Sequence, residues 1–237
     1  MKKKESLKRN KEVTPDLEGE EFELQPSRLS FMFSGVSGKM FGIVKFILGV
    51  CFLPFVYAAT VSYLSEFRLV GESFEDYFWS GGITLVLIYF FIWEPAVLYS
   101  KGQRLLEFVF NFFKPLVKVA PYVLPVYAII LFALYGLLSL FIKSPWLIRY
   151  TLFLLGLAMA LHIVYSAKTL RSKKNDFLKG NYIFGFSFIY ILDLILLALF
   201  MSLLFAEFSF VDFFDRTFLL TKDIFASIFK QLFIPSS

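Results

Sequence analysis

The chain has 237 residues, of which 58% are hydrophobic, 20% aromatic and 18% charged, with mean hydropathy +0.69 and a formal net charge of +5. Soluble domains run at about 45–50% apolar and about 25% charged, so this balance excludes a cytosolic enzyme, a nucleic-acid binder and a disordered chain. It specifies an all-α, polytopic membrane protein, in which a positive charge excess reports orientation.

In chain order, residues 1–28 are polar, with a basic block (MKKKESLKRNK) before an acidic one (DLEGEEFE). Too little apolar surface is present to offset the entropy of ordering, so a flexible cytoplasmic tail is expected. The Gly/Ser-rich residues 29–38 lead to the first apolar run. No cleavable signal peptide is expected, because that run begins near residue 41 and is too long for a signal core. Five runs reach the roughly 20 residues that cross a bilayer core of about 30 Å. They lie at about 41–64, 80–100, 119–142, 145–167 and 182–206. Together, residues 29–207 form the predicted five-helix transmembrane bundle. Residues 104–113 and 211–233 are apolar but non-spanning, and are expected as interfacial amphipathic helices. On the second of these, Asp212, Asp215, Arg216, Lys222, Asp223 and Lys230 share one face of a helical wheel. Phe214, Phe218, Phe225, Ile228 and Leu232 share the opposite face, so 208–237 is expected on the outer membrane surface.

The basic residues orient the bundle. Seventeen Lys and Arg fall in the tail and in the loops after spans two and four, six fall on the other side, and Lys45 lies within the membrane. That split predicts a cytoplasmic N-terminus and an outer C-terminus in an inner or plasma membrane. Five spans in this orientation and at this length are similar in topology to the Yip1-domain proteins of membrane trafficking, a likeness that no motif carries.

Within the spans, Pro54, Pro95, Pro121 and Pro125 each remove a backbone hydrogen bond. Two ridges of small residues, Gly38–Gly42–Gly49 with Ser34, and Ala198–Ser202–Ala206, allow close helix approach within the bundle or against a partner. Four ionisable groups stand inside spans, where burial is costly. Lys45, Glu94 and His162 fall in the cytoplasmic half, and Lys45 is within reach of pairing with Glu94. Asp193 lies near mid-bilayer with Tyr182 and Tyr190 on its face. Thr151, His162, Tyr165, Ser166 and Thr169 form a second polar stripe, on span four. If the two stripes meet, they line a polar seam, and Asp193 is either a functional group or a satisfied structural one.

Gly35-Val-Ser-Gly38 resembles the GxSG of rhomboid proteases, with Ser37 and His162 as the dyad. The motif precedes the first span, however, and five spans are too few for that six-helix core. One cysteine, Cys51, and one histidine exclude an internal disulfide, a Cys-based metal site and any site that needs two imidazoles. No cofactor or metal is expected. The leading expectation is a non-enzymatic integral subunit of a larger inner- or plasma-membrane assembly: an anchor, a permease-type component or a lipid-shaping module. Its expected contacts are membrane lipids and a protein partner or a second copy, with no nucleic acid. The competing expectation is an independent transporter with Asp193 in its path, and a third class, a membrane-bound transferase or protease, would work through Ser37 and His162.

Overall fold

The computed structural model describes residues 28–92, 94–111, 120, 122–172 and 182–233, with side-chain surroundings from residue 42 onward. The predicted tail therefore lies outside the described residues. The chain divides into two compact units, 1–39 and 40–237. Of the first, only helical backbone from residue 28 is described, and all that follows concerns the second.

Among the described residues the fold is all-α. Its helices are α1 (Arg28–Val70), α2 (Glu72–Phe91), α3 (Ala96–Val109), α4 (Val126–Ser139), α5 (Pro145–Ser172), α6 (Tyr182–Leu204) and α7 (Phe210–Phe233). Three stretches are long and apolar enough to cross a membrane: Gly42–Val70, Pro145–Arg171 and Tyr182–Leu204. They correspond to predicted spans one, four and five.

Spans two and three depart from expectation. The loop expected after span one is reduced to a single residue, Gly71, at φ 114°. Only glycine adopts that φ without strain. Its carbonyl accepts from the Phe74 and Glu75 amides at 3.1 and 3.2 Å. Glu72 and Glu75 then sit in the first turn of α2, where the helix dipole favours negative charge. The helix thus begins eight residues before the predicted span and ends at Phe91. Pro95 caps α3, so the predicted 80–100 run is two helices and not one. The expected interfacial helix at 104–113 is the second half of α3, as far as Val109. Pro125 likewise starts α4, leaving 14 residues, about 21 Å at 1.5 Å per residue. Pro54 is carried inside α1, and Pro121 lies outside the described residues.

The central helix is α5, which meets α2, α3, α4 and α6, and meets α2 most extensively. Two glycines set that crossing. A Cβ on Gly81 would stand 1.8 Å from the Phe153 carbonyl oxygen, and one on Gly156 would stand 2.0 Å from the Phe78 carbonyl oxygen. The two backbones are in mutual contact, as in small-residue crossings of membrane helices. Around the Gly71 end, Phe67, Phe208 and Phe213 are wholly buried, and the Phe67 ring meets Phe78 edge-on at 5.4 Å. On the other side, Phe132 of α4 stacks on Phe200 of α6 at 4.2 Å. Gly102 of α3 takes the side chains of Val126 and Tyr127 against its backbone, and the Tyr127 hydroxyl donates to the Leu98 carbonyl.

Helix α7 occupies the predicted stretch, yet it docks on another helix. Arg216 bonds the Ser65 hydroxyl and lies 3.4 Å from Glu66, while Phe225 meets Phe55 edge-on at 6.0 Å. These contacts run in opposite chain directions, so α7 lies antiparallel to the second half of α1. Its inner stripe is Phe213 and Thr221, with Thr217, Ile224 and Phe225 half-buried. Of the apolar face read from the sequence, Phe214, Phe218, Ile228 and Leu232 are exposed. Phe225 is shared between the two faces, so the buried stripe is the expected apolar face rotated towards Arg216, which meets a buried carboxylate.

Replacing Gly81 or Gly156 by Ala is expected to destabilise the protein by at least about 1–3 kcal/mol through backbone overpacking. Gly136→Ala, where nothing lies within 4 Å of the added carbon, should be neutral or gain helix propensity of up to about 1 kcal/mol. Thermal unfolding of the three variants in detergent gives the ranking.

Candidate functional site

The α2–α5 crossing brings α6 and α1 around one polar locus. Asp193 of α6 is 1% exposed and His162 of α5 is 5% exposed. His162 Nε2 lies 3.5 Å from Asp193 Oδ1, which is ion-pair range without hydrogen-bond geometry. Neither carboxylate oxygen of Asp193 has a hydrogen-bond partner among the described residues. Burying such a group is expensive, and unsatisfied buried polar atoms are rare enough to require a reason.

The two sides of this pair differ. From His162 Nε2, the atom that also faces Asp193, runs a short chain of polar contacts. The Ser166 hydroxyl is 3.4 Å from His162 Nε2, donates to the Tyr122 carbonyl at 3.2 Å and lies 3.3 Å from the Tyr99 hydroxyl. Tyr99 stacks on Tyr165 at 5.2 Å. A cavity of about 10 Å³, the room of about one water, is lined there by Tyr99, Gln103 and His162 among others.

In front of Asp193 is a cavity of about 180 Å³ between α1, α2, α5 and α6. Its walls include Thr60, Tyr63, Phe78, Trp79, Tyr190 and Asp193, the rest being aliphatic side chains and the backbone of Gly82 and Gly156. Tyr190 is held by a 3.1 Å hydrogen bond to the Thr60 hydroxyl. The Tyr63 hydroxyl is buried with no partner among the described residues. Trp79, 42% exposed, stands at the rim with its ring edge-on to Phe78 at 5.3 Å.

Of the residues singled out from the sequence, Asp193, His162 and Tyr190 come together here. Tyr182 does not: it is exposed at the start of α6, stacked on Phe186 at 5.8 Å. Glu94 pairs with Lys168 of α5 and not with Lys45, because the break before Pro95 places it beside the end of α5. Both groups are about half exposed, so the pair contributes little to stability. Lys45 is buried on α1, at 7% exposure. Gly49 packs on the backbone of Phe184, 2.9 Å from an added Cβ, whereas Gly42 is exposed with nothing within 4 Å. The surroundings of Gly38, like those of Ser37, lie outside the described side chains. Ala198 is fully buried and Ser202 half-buried, but Ala206 lies past the end of α6 and is exposed, so the second ridge does not extend to it.

Sequence reasoning missed Glu66, which it left in an outer loop. It is 1% exposed and held by Arg216. It also missed Gly81 and Gly156, although Gly156 and Ala160 stand four apart and carry the same signal as the ridges that were noticed. Of the cavity aromatics, Tyr63, Phe78 and Trp79 had no signal in a chain with 33 Phe.

No protein-family model, no curated protein and no solved structure matches the chain.

Removing the Arg216 side chain leaves Glu66 buried and alone. Arg216→Met is expected to speed amide exchange across 210–233 by about tenfold or more, as loss of a charged hydrogen bond costs about 1.5–3 kcal/mol. Glu66→Gln on that background should recover part of the protection, as read by hydrogen–deuterium exchange.

Proposed function

We propose that the chain is an integral membrane transporter whose translocation path passes Asp193. The observation that carries this reading is the carboxyl group itself: buried at 1% exposure, with no hydrogen bond at either oxygen among the described residues, and facing a cavity between four helices. An ionisable group inside a membrane marks an ion or solute path more often than a fold element. His162, 3.5 Å behind it, allows one proton to be shared without net buried charge. The Ser166–Tyr99 chain leads from that histidine towards α3. In this reading the bundle crosses five times, with α2–α3 and α4 supplying the two crossings that helix length alone does not, and the N-terminus is cytoplasmic.

A second reading, a subunit of a larger membrane assembly, draws on α7. Lys222 and Asp223 are exposed between the levels of Arg216 and Phe225, beside an α1 surface where Leu53, Phe55 and Tyr57 are also exposed. Charges at that depth suit a polar neighbour better than acyl chains. A partner subunit or a second copy supplies one.

Purified protein in liposomes loaded with a pH-sensitive dye tests the first reading. Proton flux above that of protein-free liposomes is expected, and Asp193→Asn should cut it by about tenfold or more. Wild-type flux in Asp193→Asn overturns the role of Asp193. Zero flux from a protein that purifies with a stoichiometric partner overturns the transporter reading in favour of the subunit.

A further inference from the structure

The walls of the 180 Å³ cavity select a chemical class. Asp193 supplies a carboxyl group with no hydrogen-bond partner at either oxygen among the described residues, and it becomes the counter-charge once the proton it shares with His162 is released. Tyr63, Phe78, Trp79 and Tyr190 supply aromatic rings, and none of the lining residues is Lys or Arg. His162 does not line the cavity, although it lies 3.5 Å from Asp193. An anion therefore finds no counter-charge there. A hydrated metal ion fares little better. Calcium needs six to eight oxygen ligands and magnesium an octahedral shell, and the polar groups at this wall are one carboxylate and three hydroxyls, two of the hydroxyls bonded to each other. An organic cation has neither difficulty. Its charge is spread over weakly hydrated methyl or methylene groups, which rest against ring faces and aliphatic walls while the carboxylate neutralises it. The volume sets the size: a cavity of about 150 Å³ holds benzene, so this one takes a molecule of about six to eight heavy atoms.

We propose that this cavity is a binding site for a small alkylammonium or quaternary ammonium ion, with Asp193 as counter-ion, Tyr63, Phe78 and Tyr190 as walls and Trp79 at the mouth. The inference names a ligand class for the site read above as a translocation path, and so rests on Asp193 facing a ligand. It does not require that the ligand be moved. The Tyr63 hydroxyl, buried without a partner among the described residues, is placed to meet a polar tail on such a cation.

The test is calorimetric titration of the full-length protein in detergent with choline chloride at constant ionic strength. Its neutral isostere, 3,3-dimethylbutan-1-ol, is run in parallel. Saturable choline binding is expected, with the isostere at least about tenfold weaker, since desolvated cation–π contacts and a buried counter-ion both favour the charged form. Asp193→Asn keeps the side-chain shape and should weaken choline by about tenfold or more. Trp79→Leu, at a half-exposed rim where folding tolerates change, should weaken it several-fold, and Tyr182→Phe should leave it unchanged. Equal binding of the isostere, undiminished binding by Asp193→Asn, or no saturable choline signal overturns the proposal. Choline binding without proton flux in liposomes supports this site and overturns only the transport reading. Flux without choline binding overturns this site and leaves transport standing.

Discussion

Everything described here depends on two glycines. At Gly81 and Gly156 the backbones of α2 and α5 touch, with no space for a methyl group on either side. That contact fixes the distance between α2 and the central helix. Since Phe78 and Trp79 precede Gly81 by less than a turn, it also fixes where their rings stand relative to α5. Gly82 and Gly156 then form backbone wall in the cavity that Asp193 faces from α6. A wider crossing would move Trp79 away from the carboxylate and open the site. Van der Waals contact between backbones, with no hydrophobic drive between helices in lipid, is the constraint that gives the site its shape.

The site is also where the structure is most costly. A carboxylate and an imidazole are withdrawn from solvent together, and hydrogen bonds gather on only one of them. His162 has Ser166 within reach, and Ser166 in turn has a carbonyl and a tyrosine. Asp193 has the imidazole at ion-pair distance and faces a cavity of aromatic and apolar side chains with three hydroxyls, none of which bonds it. This asymmetry gives the locus a direction: a satisfied polar chain towards α3 on one side, and an unsatisfied acceptor facing a cavity on the other. A purely structural pair would gain most from satisfying both groups.

The sequence made the class of fold plain and the contacts much less so. Apolar length is a property of one helix, so Gly42–Val70, Pro145–Arg171 and Tyr182–Leu204 could be read directly. The interruptions at Pro95 and Pro125 could not, because proline inside a membrane helix is tolerated when neighbours satisfy the freed carbonyl, as Pro54 shows. Asp193 and His162 stood out as ionisable groups within apolar runs, but whether their two polar stripes face each other is set by helix rotation, which the sequence left open. Which aromatics would face them depended on the rotation of α1 and α2, which hydropathy does not encode. The abundance of phenylalanine is partly accounted for as well. Phe67, Phe74, Phe78, Phe205, Phe208 and Phe213 build the core at the Gly71 end, while Phe90, Phe91, Phe108 and Phe141 point outward. The same residue serves as packing and as exposed surface.

The antiparallel seating of α7 on α1 bears on how the molecule comes together during synthesis. Ser65 and Arg216 are 151 positions apart. A carboxylate at Glu66 therefore leaves the ribosome, and must be accommodated in or near the bilayer, long before its guanidinium partner exists. Until α7 has been made, the end of α1 carries an acidic group with no Arg216 to meet it, and Phe55 lacks the ring of Phe225. Contacts of this sequence separation incur a large loop-closure entropy cost before they form. Burial of Glu66 against a guanidinium is thus a late event, set by the 151 positions that separate Ser65 from Arg216.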